Sequence, residues 1–233
     1  SHIFFTIIGF IMKVAPLGAF GAMAFTVGAF GIDSLVPLAK LVICFFATCV
    51  LFTVVCIGAI ATYTGINLFK FLAYIKEEIF IVFGTCSSET VFPRMVDKLT
   101  ALGCHKSVVG MVLPTGYSFN LDGSTLYLAV ASVFVAQAAG VQLTISQQLV
   151  MLLTLMLTSK GMAGIPRASQ VILAGTLVSF DLPLEGVLLI IGVDELMDMA
   201  RTTVNLVGNC LATAVVARWE GVFPPTGTTP SEP

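Results

Sequence analysis

Asp194-Glu195-Leu196-Met197-Asp198-Met199-Ala200-Arg201-Thr202-Thr203-Val204-Asn205-Leu206-Val207-Gly208-Asn209 lies between the largely apolar runs 187–191 and 211–216. Taken as one helix, it places Asp198, Arg201, Thr202, Asn205 and Asn209 within an arc of about 100°. Asp194, one turn earlier, joins the same stripe. A polar ribbon carrying both charge signs on an otherwise apolar helix requires a reason.

Composition identifies the solvent around that helix. Hydrophobic residues make up 57% of the chain and charged residues 10%, against about 45–50% and about 25% in soluble proteins. Leu41 to Thr62 carries no charge and as a helix would measure about 33 Å, enough to cross a hydrocarbon core of about 30 Å. Val14 to Ile32 is a second uncharged run. The chain reads as an all-α integral membrane protein. Long unbroken apolar runs replace the alternation that barrel strands need. The net charge of −2 points to no nucleic-acid partner. The cysteines form no CxxC pair and most sit in apolar runs, as small hydrophobes do. His2 and His105 are too far apart for a transition-metal site. No cleavable signal peptide is read, and the chain opens in an apolar segment without Met, which predicts a fragment of something longer.

In chain order, 1–32 reads as a first transmembrane helix with many small residues, and 36–65 as a second. Lys70, Lys76, Arg94, Lys98 and Lys106 then cluster, which puts this region on the cytoplasmic side. Within 67–103, two short apolar arms flank Gly84-Thr85-Cys86-Ser87-Ser88-Glu89-Thr90. This pattern fits a re-entrant hairpin and equally an amphipathic surface helix with a polar loop. The stretch 106–140 is apolar but interrupted by Pro114-Thr115-Gly116 and Asn120-Leu121-Asp122-Gly123-Ser124, which predicts a discontinuous helix. Freed carbonyls and the Asn, Asp and Ser oxygens there suit a hard cation such as sodium. A second pair of short arms, within 144–183, flanks the tip 158–169, and 184–219 reads as the last span, ending at Arg218-Trp219. The Pro/Gly/Thr-rich 221–233 reads as a disordered tail. Hairpin plus helix thus occurs twice, in 67–140 and 144–220, as an inverted repeat with the binding site at the repeat interface.

These motifs resemble the dicarboxylate/amino acid:cation symporter family, the glutamate and aspartate transporters. The resemblance rests on Thr85-Cys86-Ser87-Ser88-Glu89-Thr90, on Pro114 through Asn120-Leu121-Asp122-Gly123-Ser124-Thr125, on Ser159-Lys160-Gly161-Met162-Ala163-Gly164-Ile165-Pro166, and on Asp198 to Asn209. It implies a glutamate-transporter-like fold with two re-entrant hairpins, of which this chain is the C-terminal half. It further implies a scaffold-type helix over 1–32, a transport domain over 33–220 that moves like an elevator, a homotrimer, and a multi-pass place in the cell (inner) membrane. In the resemblance, Cys86, Ser87 and Ser88 of the first tip and Met162, Ala163, Gly164, Ile165 and Pro166 of the second close over substrate. Arg201 takes a substrate carboxylate and Asp198 an α-amino group, with Thr202, Asn205 and Ser124 as further contacts. Gly116, Ser118, Asn120, Asp122, Ser159, Asn205 and Asn209 belong to cation sites. No cofactor is implied beyond a coupling proton or sodium.

Physical chemistry supports the charged pair's roles. A guanidinium matches a carboxylate in two parallel bonds, and a zwitterionic acid needs a fixed cation and a fixed anion close together. Each charge placed mid-helix in a bilayer costs about 2.5–3.5 kcal/mol on the insertion scale. A self-neutralising structural ion pair would explain Asp198 and Arg201 but not the Thr and Asn stripe beside them. Three features depart from the family pattern. Asn209 stands where sodium-coupled members often carry Asp, which tilts toward protons. Lys160 lies near an expected sodium position and either substitutes for that ion or snorkels. Arg167 either adds a carboxylate contact or faces water. The leading expectation is uptake of L-glutamate or L-aspartate, with a C4-dicarboxylate carrier as the alternative, which Asp198 argues against. An intramembrane hydrolase using Asp122 and Asp198, or Ser159 and Lys160, is the alternative from another class; adjacent residues on a helix point about 100° apart, poor geometry for the second pair.

Overall fold

Local capping chemistry sets several helix ends before any packing is considered. The Asn67 side chain accepts from Lys70 N at 3.0 Å, and Thr144 forms a reciprocal capping box with Gln147. At the far end of one helix, Gly140 adopts φ 71°. Its N–H donates to Gln137 O at 3.0 Å and Val141 N–H to Ala136 O at 2.9 Å, the paired closure that a left-handed glycine permits.

A computed structural model describes residues 17, 20, 21, 23–29, 31–161 and 168–222. Residues 23–29 are helical. Helix α1 (Leu35–Phe52) continues through a π-helical turn, Thr53–Ile57, into α2 (Gly58–Tyr63). Two short arms follow: α3 (Leu68–Tyr74) with α4 (Lys76–Thr85), and α5 (Phe92–Ala101). Next come α6 (Lys106–Phe119) and α7 (Asp122–Ala138), then the second pair of arms, α8 (Ile145–Thr158) and α9 (Ala168–Ser179). The chain ends with α10 (Glu185–Trp219), 35 residues long. No strand occurs among the described residues. The tail 223–233, most of the first expected span, and the tip residues Met162, Ala163, Gly164, Ile165, Pro166 and Arg167 lie outside them.

Two continuous helical stretches, Ile32–Tyr63 and Lys106–Ala138, are long and apolar enough to cross a membrane. The second is not one regular helix. Asn120 (φ −113°, ψ 67°) and Leu121 (φ −102°, ψ 66°) leave helical geometry between α6 and α7, at the Asn-Leu-Asp-Gly motif and not at Pro114, which α6 retains in its interior. The arms are short: α4 and α5 have 10 residues each, α8 has 14 and α9 has 12. At 1.5 Å per residue no single helix among them exceeds about 21 Å, well below a bilayer's ~30 Å.

Helix α10 runs through the middle and touches α1, α4, α6 and α7. It joins two apolar cores. Its N-terminal half (Ile190, Met197, Val204) packs with Phe45, Tyr127, Leu128, Met151 and Leu177. Its C-terminal half (Leu206, Leu211, Ala214) packs with Phe71, Ile75, Met95, Leu99 and Leu113. The changeover falls at Asn205 on α10 and at the 120–121 break between α6 and α7. Away from both cores, Ile43, Val50 and Leu51 of α1 and Val54 of the π-helical turn are exposed, an apolar face suited to lipid.

A buried acid ties the first arms together. Glu78 of α4 is fully buried and receives Lys98 Nζ at 2.7 Å and Arg94 Nη2 at 3.3 Å, both from α5. Tyr74 OH donates to Lys98 O at 3.0 Å on the same seam. In the other core, Phe45 meets the Tyr127 ring edge-on at 6.0 Å. Phe45→Ala is therefore expected to cost about 3 kcal/mol, read as a lower thermal-unfolding midpoint in detergent with secondary structure retained at 25 °C.

Candidate functional site

The polar stripe of α10 faces inward at the junction of the cores. Arg201 is 3% exposed and Asp194 1%. Asp198 Oδ1 accepts from Arg201 Nε at 2.9 Å, from Arg201 Nη2 at 2.8 Å and from Thr202 Oγ1 at 2.8 Å. Arg201 Nη1 lies 3.7 Å from Asp194 Oδ1, too long for a hydrogen bond, and both atoms are buried without a hydrogen-bond partner. Under the guanidinium, its central carbon 4.4 Å from the ring centroid, lies Tyr127 of α7. Two carboxylates and an aromatic face thus hold the cation, while one N–H edge remains unsatisfied. A buried unpaired donor costs about 1–3 kcal/mol, and a ligand carboxylate would relieve it.

The resemblance gives Asp198 to a substrate ammonium; in the structure its Oδ1 is tied to Arg201 and Thr202 of the same helix, and its side chain is 18% exposed. Asp198 thus orients and partly neutralises Arg201.

The helix break is stitched to α10 by side-chain amides. Asn205 Oδ1 accepts from Gly123 N at 2.8 Å and Ser124 N at 3.3 Å, and Asn205 Nδ2 donates to Ser124 Oγ at 3.1 Å. Asn205 therefore caps the N-terminus of α7 from a different helix, satisfying amides that have no partner within α7. A Cβ at Gly123 would run into the backbone carbonyl of Arg201, so only glycine lets α7 approach this closely.

The residues assigned to cation sites gather only in part. The Asp122 carboxylate lies against Gly208, with Asn120 Nδ2 also near that glycine, and Asn209 Oδ1 lies against Gly116. Asn209 is 1% exposed, and its Oδ1 is a buried acceptor without a donor. An orphaned amide oxygen on α10, one residue from the glycine against which the Asp122 carboxylate lies, is a donor set that fits a hard monovalent cation. Ser118 is half-buried one residue before α6 ends. Ser159 is buried, and its hydroxyl donates to Met156 O at 3.0 Å, within its own helix.

The first tip reaches the same region. Cys86 follows α4 in left-handed geometry, φ 52°, an uncommon state for a residue with a side chain. Its Sγ points at Glu195 O of α10 at 4.0 Å, within electrostatic reach of Asp198 and Arg201. Ser87 Oγ donates to Glu89 Oε2 at 2.7 Å. Ser88 is buried and its carbonyl accepts from Tyr117 OH at 3.2 Å. Sequence reasoning missed Tyr127 and the close approaches at Gly123 and Gly208. A detectable signal existed for the tyrosine: it follows Gly123 by four residues and so lies on that glycine's face of α7, toward Arg201.

Residues 1–219 match the model of the sodium:dicarboxylate symporter family. The chain is 55% identical over 222 residues to the C4-dicarboxylate transport protein of Erwinia tasmaniensis, covering 95% of this chain and 52% of that protein. It is 54% identical over 220 residues to the C4-dicarboxylate transport protein of Yersinia enterocolitica, covering 94% and 51%. The chain thus spans about half the length of these relatives. The family is one of symporters and both relatives are named transport proteins, which stands against the hydrolase alternative. This chain belongs to the sodium:dicarboxylate symporter family.

Proposed function

We propose that the protein carries C4-dicarboxylates across the cell (inner) membrane in symport with protons or sodium. The observation that carries this reading is the 54–55% identity to relatives named C4-dicarboxylate transport proteins. A dicarboxylate has no ammonium to pair, so it is compatible with an Asp198 whose Oδ1 is engaged by Arg201 and Thr202. The dicarboxylate alternative of the sequence reading therefore replaces the expectation of L-glutamate or L-aspartate.

Arg201 offers its unsatisfied N–H edge to one substrate carboxylate, and Tyr127 keeps the guanidinium in plane. Thr202, Ser124 and Asn205 line the remaining polar wall, while Cys86, Ser87 and Ser88 approach from the first tip. The second tip, with Met162, Ala163, Gly164, Ile165 and Pro166, closes over the other carboxylate. Electrostatics explains coupling. Asp194, Asp198 and Arg201 sum to one negative charge, and Asp122 adds another that the Lys160 ammonium offsets. A dianionic substrate entering that field needs co-transported cations, for which Asn209 supplies an orphaned oxygen, with backbone carbonyls near Gly116 and Ser118; Asn120 and Asp122 border the same region. The short arm lengths support two re-entrant hairpins, 67–103 and 144–183, in a transport domain spanning 33–220. That domain moves as an elevator against a scaffold including the 1–32 helix, in a homotrimer.

Uptake of labelled succinate into proteoliposomes, with proton and sodium gradients imposed separately, tests the reading. Succinate is expected to accumulate under at least one gradient, and excess aspartate to compete at least ten-fold more weakly than excess fumarate. Strong aspartate competition would restore the amino-acid reading. Tyr127→Leu is expected to raise the succinate KM about ten-fold, as loss of a desolvated cation–π contact predicts, while Tyr127→Phe stays near wild type. Asn209→Asp adds a carboxylate beside Gly116 and is expected to steepen the sodium dependence of uptake; an unchanged ion requirement would remove Asn209 from the coupling site.

A further inference from the structure

The break between α6 and α7 is stitched a second time, on its other side, and there the group is a cation. Phe119 is the last residue of α6. Its carbonyl points out of the helix end and accepts from Lys160 Nζ at 2.9 Å. Lys160 lies in the turn Ser159–Gly161 that follows α8, 41 residues further along the chain. The same ammonium acts electrostatically on the Asp122 carboxylate just across the break. Lys160 is exposed at the surface, and its ammonium reaches back to the helix break. The C-terminal end of a helix carries about half a negative charge, and the carboxylate adds a full one. A site of that composition takes a small cation, and broken helices in transporters present such ends to coupling ions. A lysine ammonium is a compact point charge with three donors, able to replace a monovalent ion where a planar guanidinium is poorly matched.

We propose that Lys160 is a tethered cation: its ammonium occupies the C-terminal end of α6 in place of a free coupling ion, so that this locus exchanges none. It rests on the symporter reading given above, and it makes Lys160 a determinant of how many free cations the protein needs. The locus built around Asn209 and Gly116 stays open to a free cation.

Thermal unfolding of the full-length protein in detergent, without substrate, tests this in choline chloride against sodium chloride. Lys160→Met and Lys160→Gln empty the locus of its ammonium while leaving Phe119 O and Asp122 in place. Sodium is expected to raise the midpoint of both variants by about 3 °C more than that of wild type, and Lys160→Arg to fall between. A pair of variants unfolded in choline but rescued by sodium supports the proposal equally. Identical sodium responses in wild type and both variants overturn it, as do variants unfolded in both salts. Because no substrate is present, a failure here is distinct from a failure of succinate uptake, which would overturn the transport reading alone.

Discussion

A guanidinium buried between two apolar cores is the constraint on which the rest depends. Arg201 sits on the central helix where burial is nearly complete, and a lone ion there would be untenable. The protein meets the cost locally, with Asp198 one turn below, Asp194 a further turn away, and the Tyr127 ring against the guanidinium. Each partner is fixed by something else. Asp198 is held by Thr202, and Tyr127 by the edge of Phe45. The cation is pre-oriented with one donor edge unsatisfied, which is what a carboxylate-binding site requires.

The helix break exists in relation to that cation. An unbroken span would place a continuous helical surface against α10. Breaking it at Asn120 and Leu121 exposes amides on one side and carbonyls on the other. Asn205 takes the amides of Gly123 and Ser124, and Lys160 takes the carbonyl of Phe119. Both partners come from other segments, so neither end can be satisfied until α10 and the second pair of arms have packed. The two cores meet at this level, with a polar layer between them.

Much of this was legible in residue order. The stripe from Asp194 to Asn209 follows from helical periodicity alone, because a polar ribbon on an apolar helix cannot face lipid. The interruption at Asn120–Ser124 follows from residue types that release the backbone. Helix ends at Asn67, Thr144 and Gly140 follow from local capping. Pro114 also looked like a breaker, yet α6 runs through it: once a helix is buried against neighbours, one missing donor is tolerable, whereas Asn-Leu-Asp-Gly offers both alternative hydrogen bonds and a close approach.

The sequence by itself therefore determined the membrane-like composition, the helical class, and the polar face of α10, since these depend on residue type and spacing within one segment. It could not determine who pairs with whom. Asp198 reads equally well as a ligand for an ammonium or as the partner of Arg201, because both roles place an acid one turn from the arginine. Only the tertiary structure showed the pairing within the helix, by bringing Tyr127 under the guanidinium and turning an Asp198 oxygen toward Arg201 and Thr202. Residues far apart in the chain, such as Lys160 and Phe119, likewise acquire a relation only when packing of the arms brings an ammonium to the open end of a helix.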